Sequence, residues 1–274
     1  MGKVLLFGFL GLLGVTALIV DASVTGSGGQ VQLGSKHIAM QPASNWQSVF
    51  TEHGIESVDG VLVLFDVAKQ TLRSSNLQRA NSGYVPASTF NIANGLIALE
   101  LGVVKDVDLP LPWEPNQSFT GAFKSSQVPV FEHIASNIDK QRMANMLAYI
   151  DYGNQSISGG FPRFWLAGDL RISAIEQIQF LHRLHSNTLP LSLHSQALIK
   201  QLMQTDSSES YALYAAAGYG GDTLKGVGWW IGWVEQNNNT VFFALNIDMA
   251  SMQQASLGQA IVKAVLLQEQ LIQV

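Results

Sequence analysis

Apolar runs the length of buried strands stand near both ends of this chain, and the stretch between them is periodic at helical spacing. That order limits the possible folds more than any other feature. Residues 58–67 read VDGVLVLFDV, a buried strand, and KQTLRSS follows across a tight turn as its partner. Near the C-terminus, YALYAAAGY (211–219), GWWIGWVE (228–235) and TVFFALNID (240–248) read as three more strands. The last two form a hairpin around Gln236-Asn237-Asn238-Asn239. Residues 45–53 place Trp46, Val49 and Phe50 on one face of a first amphipathic helix. Segments 88–101, 128–136 and 138–150 repeat at helical spacing, and Ser173-x-x-Glu176 is a capping box before IEQIQFLHRLH. A last helix over 255–270 turns Leu257, Ile261, Ala264 and Val265 inward. These elements predict an α+β fold: an antiparallel sheet flanked by the terminal helices, with an all-α subdomain inserted over about residues 85–205.

Composition narrows the function. With 274 residues and 47% hydrophobic content, the chain can bury one large core, assigned here to residues 41–274. A net charge of −5 and no block of Lys and Arg leave no surface to track phosphates, which excludes nucleic acid as a partner. Without cysteine there is no disulfide, thiolate nucleophile or lipoprotein anchor. The six histidines lack paired metal-ligand spacing, so no metal is expected. The start, Met1-Gly2-Lys3 followed by an apolar run over 4–20, has two readings. It is a signal peptide of about 22 residues directing export to the periplasm, or an uncleaved anchor, the chain's one route to a membrane. Residues 23–40, with the Gly- and Ser-rich stretch 25–29, are expected to form a flexible linker.

The stretch PASTFNIAN (86–94) opens a helix with Ser88, and positions three apart share a helix face, so Asn91 stands beside the Ser88 hydroxyl. A serine nucleophile needs a base nearby, and an amide cannot be one. From these residues alone Ser88 is either an ordinary cap or a catalytic serine without its partner. Around it stand Ser126-Gln127-Val128 before a second helix, Tyr152-Gly153-Asn154 after a third, Phe164-Trp165-Leu166, Ala216-Ala217-Gly218-Tyr219 on a strand, and GWWIGWVE on the next.

In that order and spacing, from about Trp46 to the C-terminus, the chain resembles the class D, oxacillinase-type, serine β-lactamases. The resemblance implies the fold shared by serine β-lactamases and penicillin-binding transpeptidases. It implies a serine of S-x-x-K that attacks the β-lactam carbonyl, and a lysine, carboxylated by carbon dioxide, as general base. It further implies an S-x-V serine that relays protons, and a K-T-G strand and a last-helix arginine that hold the substrate carboxylate. Ser88 matches the nucleophile, Ser126 and Val128 match S-x-V, and Trp165 matches the tryptophan that packs on the carboxylated lysine. The backbone amides of Ser88 and Tyr219 match the oxyanion hole.

The charges of that pattern are missing. Asn91 replaces the lysine and has no amine to carboxylate, so no cofactor is expected. Ala216-Ala217-Gly218 replaces K-T-G, and Gly258 of Leu257-Gly258-Gln259-Ala260-Ile261 replaces the arginine. The segment between Trp113 and Ser126 is shorter than the family's, which predicts a missing cleft wall. Lys124 and Lys225 lie near the vacated positions, although relatives carry similar lysines without using them as the base. Tyr152-Gly153-Asn154 is either part of the site or a supporting turn. His133 is a core or boundary residue, and Trp229, Trp230 and Trp233 are core rather than a stacking platform. Three functions remain open: a degraded, pseudoenzyme-like binder of a β-lactam or a peptidoglycan-like small molecule; a working hydrolase with a rearranged site; and a non-catalytic periplasmic binding or sensing module.

Overall fold

A computed structural model describes residues 29–56, 58–222 and 225–273. The segment read as signal or anchor, 1–22, and residues 23–28 of the expected linker lie outside them. Among the described residues the main sheet has eight strands. They are β1 (Gln30–Leu33), β2 (Lys36–Pro42), β3 (Gly60–Asp66), β4 (Thr71–Ser74), then, after a separate ribbon of β5 (Pro110–Leu111) and β6 (Glu114–Ser118), β7 (Gln204–Ser207), β8 (Tyr211–Asp222), β9 (Lys225–Gln236) and β10 (Asn239–Met249). Their spatial order is β1-β2-β4-β3-β10-β9-β8-β7, antiparallel throughout except for the parallel pair β2–β4. Helices α1 (Gln47–Glu52), α2 (Leu77–Ala80), α3 (Asn91–Glu100), α4 (Phe119–Lys124), α5 (Val128–Ile138), α6 (Lys140–Tyr149), α7 (Ala174–His185), α8 (Leu193–Met203) and α9 (Ala255–Gln268) complete the chain.

Every residue of β3 is buried, which requires cover on both faces of the sheet. Successive strand side chains alternate between faces, so one apolar run feeds two cores. Val61, Val63 and Phe65 of β3, with Phe242 and Ala244 of β10, join the core shared with α3, α5 and α7. Leu62, Leu64, Phe243 and Leu245 join Trp46, Phe50, Ile261 and Val265 under α1 and α9. The terminal helices therefore share one face and the inserted helices take the other. In α9, Ile261 and Val265 are fully buried, while Leu257 and Ala264 are only partly so.

The expected linker over 23–40 is corrected for its described part. Residues 30–33 and 36–40 form strands, because Val31, Leu33, Ile38 and Met40 recur at every second position of QVQL and KHIAM and are buried against the helical layer. Gln179 Nε2 on α7 donates to the Gln32 carbonyl at 2.9 Å and fastens β1 there.

The two chain ends are locked by one carboxylate. Glu269 accepts from Trp46 Nε1 at 2.9 Å and from both terminal nitrogens of Arg73 at 3.0 and 2.7 Å, while the Arg73 guanidinium lies 4.9 Å from the Trp46 ring centre. Burial alone would raise the Glu269 pKa, but the bonds from Arg73 and Trp46 outweigh it and hold the carboxyl below its ordinary value. A group whose folded pKa is lowered contributes stability above its unfolded pKa and loses it as pH falls through the folded value. Glu269→Gln should therefore cost about 2 kcal/mol at neutral pH and progressively less below the carboxylate range. Urea unfolding across a pH series measures this; an equal loss at all pH values would refute the charge assignment.

Candidate functional site

Sequence places Ser88 at a helix start, and the structure gives that start a tighter form. Residues Ala87–Phe90 make a 3₁₀ turn that leads directly into α3. Such a turn has three residues per revolution, so position 91 eclipses position 88 more closely than in an α-helix. The entry is strained: Ala87 has φ +51°, a left-handed value unusual for a residue with a Cβ. It is held by its N–H, which donates to the Trp165 carbonyl at 2.9 Å, and by complete burial. Ser88 is half-buried and Asn91 is 4% exposed, and both line one cleft of about 460 Å³. Asn91 Nδ2 is buried without a hydrogen-bond partner.

Beneath the turn, the Thr89 hydroxyl donates to the Pro86 carbonyl at 2.6 Å and accepts from Gln177 Nε2 at 3.0 Å. Tyr152, fully buried on the edge of Phe90, directs its hydroxyl at this pair without reaching hydrogen-bond geometry. Burial raises its pKa above the usual phenol range, so it stays protonated. Asn154 bonds across the loop to Asp169 and Arg171, which makes Tyr152-Gly153-Asn154 a supporting turn outside the cleft lining.

The opposite wall is the outer edge of β8. Strand β7 pairs with β8 only over residues 212–214, leaving the edge beyond unpaired by strand. The Tyr211 carbonyl accepts from Ser208 N, and Gly221 N donates to the Leu166 carbonyl, so both backbones point away from β9. Backbone direction alternates along a strand, and the amides of Ala217 and Tyr219 therefore face the same outer side. At Gly218 the strand comes so close to the turn that a Cβ would lie 2.9 Å from the amide nitrogens of both Ser88 and Thr89. The Tyr219 N–H is thus presented beside the Ser88 backbone.

The third wall comes from the α4–α5 corner. Ser126 turns the chain with φ +49°, its N–H donating to the Phe123 carbonyl at 3.2 Å, and Val128 begins α5. Phe123 and Lys124 of α4 line the cleft here. Of the residues singled out from sequence, Ser88, Asn91, Lys124, Ser126, Ala216 and Ala217 meet in the cleft. Val128, Gly218 and Tyr219 adjoin it, and Trp165 packs its buried ring against Phe90 at 5.3 Å. Gly258 is buried and does not itself line the cleft; a Cβ there would lie 3.2 Å from Leu245 and 3.7 Å from Trp230, which does line it.

The sequence reading missed Phe123, Leu202, Gln204, Thr205, Trp230 and Gln259 as lining residues. Gln259 is adjacent to the position singled out, and the rotation of about 100° per helical residue decides which of the two reaches the cleft. Trp229 and Trp233 are core, but Trp230, one residue over, sits on the opposite face of β9 and meets the cleft. Lys225 stands opposite Asp222 at the tip of the β8–β9 hairpin. His133 is exposed and stacks on Trp113 at 4.6 Å. Among the described residues no group of three or more His, Asp or Glu is placed to hold a metal ion.

A sheet covered on both faces, with a serine turn pressed against its free edge, is the arrangement of penicillin-recognising proteins. The family model described as the penicillin binding protein transpeptidase domain matches residues 60–267. Within that class the chain belongs to the class D serine β-lactamase family. It is 43% identical over 242 residues to Beta-lactamase OXA-48 of Klebsiella pneumoniae, covering 85% of this chain and 90% of that protein. It is 36% identical over 231 residues to Beta-lactamase OXA-10 of Pseudomonas aeruginosa, covering 80% and 86%. Beta-lactamase OXA-2 of Salmonella typhimurium is 36% identical over 236 residues, covering 81% and 83%.

The close approach at Gly218 generates a prediction. Gly218→Ala should push the turn and strand apart and destabilise the protein by about 1–3 kcal/mol, the range for overpacking a tight contact. Thermal unfolding checks it; an unchanged midpoint would mean that the contact carries no constraint.

Proposed function

We propose that this protein is an exported penicillin-binding serine fold whose β-lactam hydrolase machinery is degraded. One observation carries the reading: the residue eclipsing Ser88 is a buried asparagine, with no amine to act as base or to form a carbamate. In the family pattern that position holds the general base for both acylation and deacylation. Loss of a general base costs about 10²–10⁴ in rate, and removing one member of a concerted set costs up to about 10⁶.

The carboxylate-holding charges are gone as well. Ala216 and Ala217 occupy the strand position and Gly258 the last-helix position. Losing one partner of a charged contact costs on the order of 2–5 kcal/mol of binding. What is kept is the Ser88 nucleophile position, the Ser126 hydroxyl and the backbone donors of Ser88 and Tyr219, which depend on chain path rather than on side-chain identity. The ligand is a β-lactam or a peptidoglycan-like small molecule. Residues 1–22 act as the export signal that delivers the protein to the periplasm.

A working hydrolase with a rearranged site is the second reading, and one observation favours it: Lys124 lines the same cleft as Ser88 and Ser126. The two readings predict different kinetics. On the degraded reading, nitrocefin hydrolysis stays at the uncatalysed rate and bicarbonate does not raise it. Intact-protein mass spectrometry after incubation with a penicillin then shows little or no acyl adduct, together with a chain shortened by about 22 residues. Turnover that vanishes in both Ser88→Ala and Lys124→Gln would establish the second reading instead.

Repair tests whether the frame is still that of the enzyme. Asn91→Lys alone should restore only slow acylation. Adding Ala216→Lys, Ala217→Thr and Gly258→Arg should raise kcat/KM toward a penicillin by more than the separate changes combined, because residues acting as a unit are non-additive. At Gly258 a Cβ alone would lie 3.2 Å from Leu245, so the new arginine must displace that side chain, which lowers stability. If the fourfold variant folds, carries a carboxylated lysine and is no faster than the parent, the frame has been lost and a non-catalytic binding module is the better description.

A further inference from the structure

The cleft beside Ser88 has an unusual charge pattern. Among its described lining residues Lys124 is the one charged side chain; the rest are hydroxyl, carboxamide or apolar. Lys124 makes no ion pair with any described residue, although Asp108 and Asp206 line the adjoining cavity that it also borders. Ala216 and Ala217 line the same cleft and cannot compete for an anion. A carboxylate entering this cleft therefore finds its electrostatic minimum on the α4 side.

Asn91 closes the floor, and its Nδ2 is buried out of a ligand's reach. The rest of the lining mixes apolar Phe123, Leu202 and Trp230 with the neutral polar side chains of Gln204, Thr205 and Gln259. The cleft thus offers one cation, on an exposed lysine, against walls that carry no other charge.

We propose that Lys124 is the ligand's anion anchor, so that this cleft prefers a small carboxylate to its neutral ester and holds it non-covalently with the carboxylate toward α4. Lys124 is then a binding and specificity residue, with no proton-transfer role. The proposal rests on the penicillin-binding reading above and deepens it by fixing which way round the ligand lies. It also explains how a cleft stripped of cations on β8 and α9 can still prefer an anion.

The test is calorimetric titration of the purified protein and of its Ser88→Ala variant, which cannot acylate, with benzylpenicillin and its methyl ester. The two probes differ in the carboxylate charge and in one methyl group, and the Lys124 variants separate the two effects. The parent should bind the acid about tenfold more tightly than the ester at low salt, the value of one charge-assisted contact, and lose that preference at high salt. Lys124→Gln should abolish the preference by weakening the acid alone, and Lys124→Arg should retain it. Equal binding of acid and ester by the parent, or a preference that survives Lys124→Gln, would overturn the anchor while leaving the penicillin-binding reading intact. Binding of neither probe by any variant would overturn both.

Discussion

The contact on which this structure depends is the approach of the β8 edge to the turn Ala87–Phe90 at Gly218, where no side chain fits between the strand and two backbone amides. It joins the helical layer to the sheet at the point where the sheet stops being paired. Because β7 ends its pairing at residue 214, the outer amides of β8 are free to face the turn. Because the turn is tethered through Ala87 to Trp165, it cannot retreat. The backbone geometry of the cleft follows from these restraints and requires no particular side chain at position 91 or 216.

That separation explains how a site can lose its charges and keep its shape. The turn is supported from below by Thr89, Gln177, Phe90 and Tyr152, all buried and none lining the cleft. Exchanging a charged residue for Asn or Ala at the surface of such a frame removes a desolvated charge and leaves the packing beneath untouched. Active sites trade stability for function, and a site relieved of its charges is expected to be the more stable for it. Strain remains at Ala87, whose left-handed backbone is a residue of the geometry needed to present Ser88.

The rest of the molecule serves the same junction from a distance. The two-sided sheet sets the turn's layer on one face and the two terminal helices on the other. The Glu269–Arg73–Trp46 group closes the chain ends over that second face. On the first face, Arg79 is buried and reaches Asn246 at 2.7 Å and Asp248 at 2.6 Å, tying α2 to the central strand β10. The central strands are therefore held from both sides, and the outer edge of β8 beyond residue 214 is left unpaired by strand.

Much of this was legible in the sequence because it rests on local periodicity. The apolar run of β3, the hairpin of β9 and β10, the capping box at Ser173 and the pairing of Ser88 with Asn91 on one face are set by neighbours within a few residues. The missing amine at Asn91 and the missing cations at Ala216 and Gly258 are plain in the residue types. Tertiary structure alone decided what depended on distant segments meeting. The short alternations around Val31 and Ile38 became strands only because a helical layer was there to cover them. Trp230 and Gln259, rather than Trp229 and Gly258, reached the cleft because strand alternation and helix rotation are fixed by packing. Lys124, one of several ordinary lysines in the sequence, became the charged group of the cleft because the corner between α4 and α5 folds back beside Ser88, a proximity that no spacing along the chain encodes.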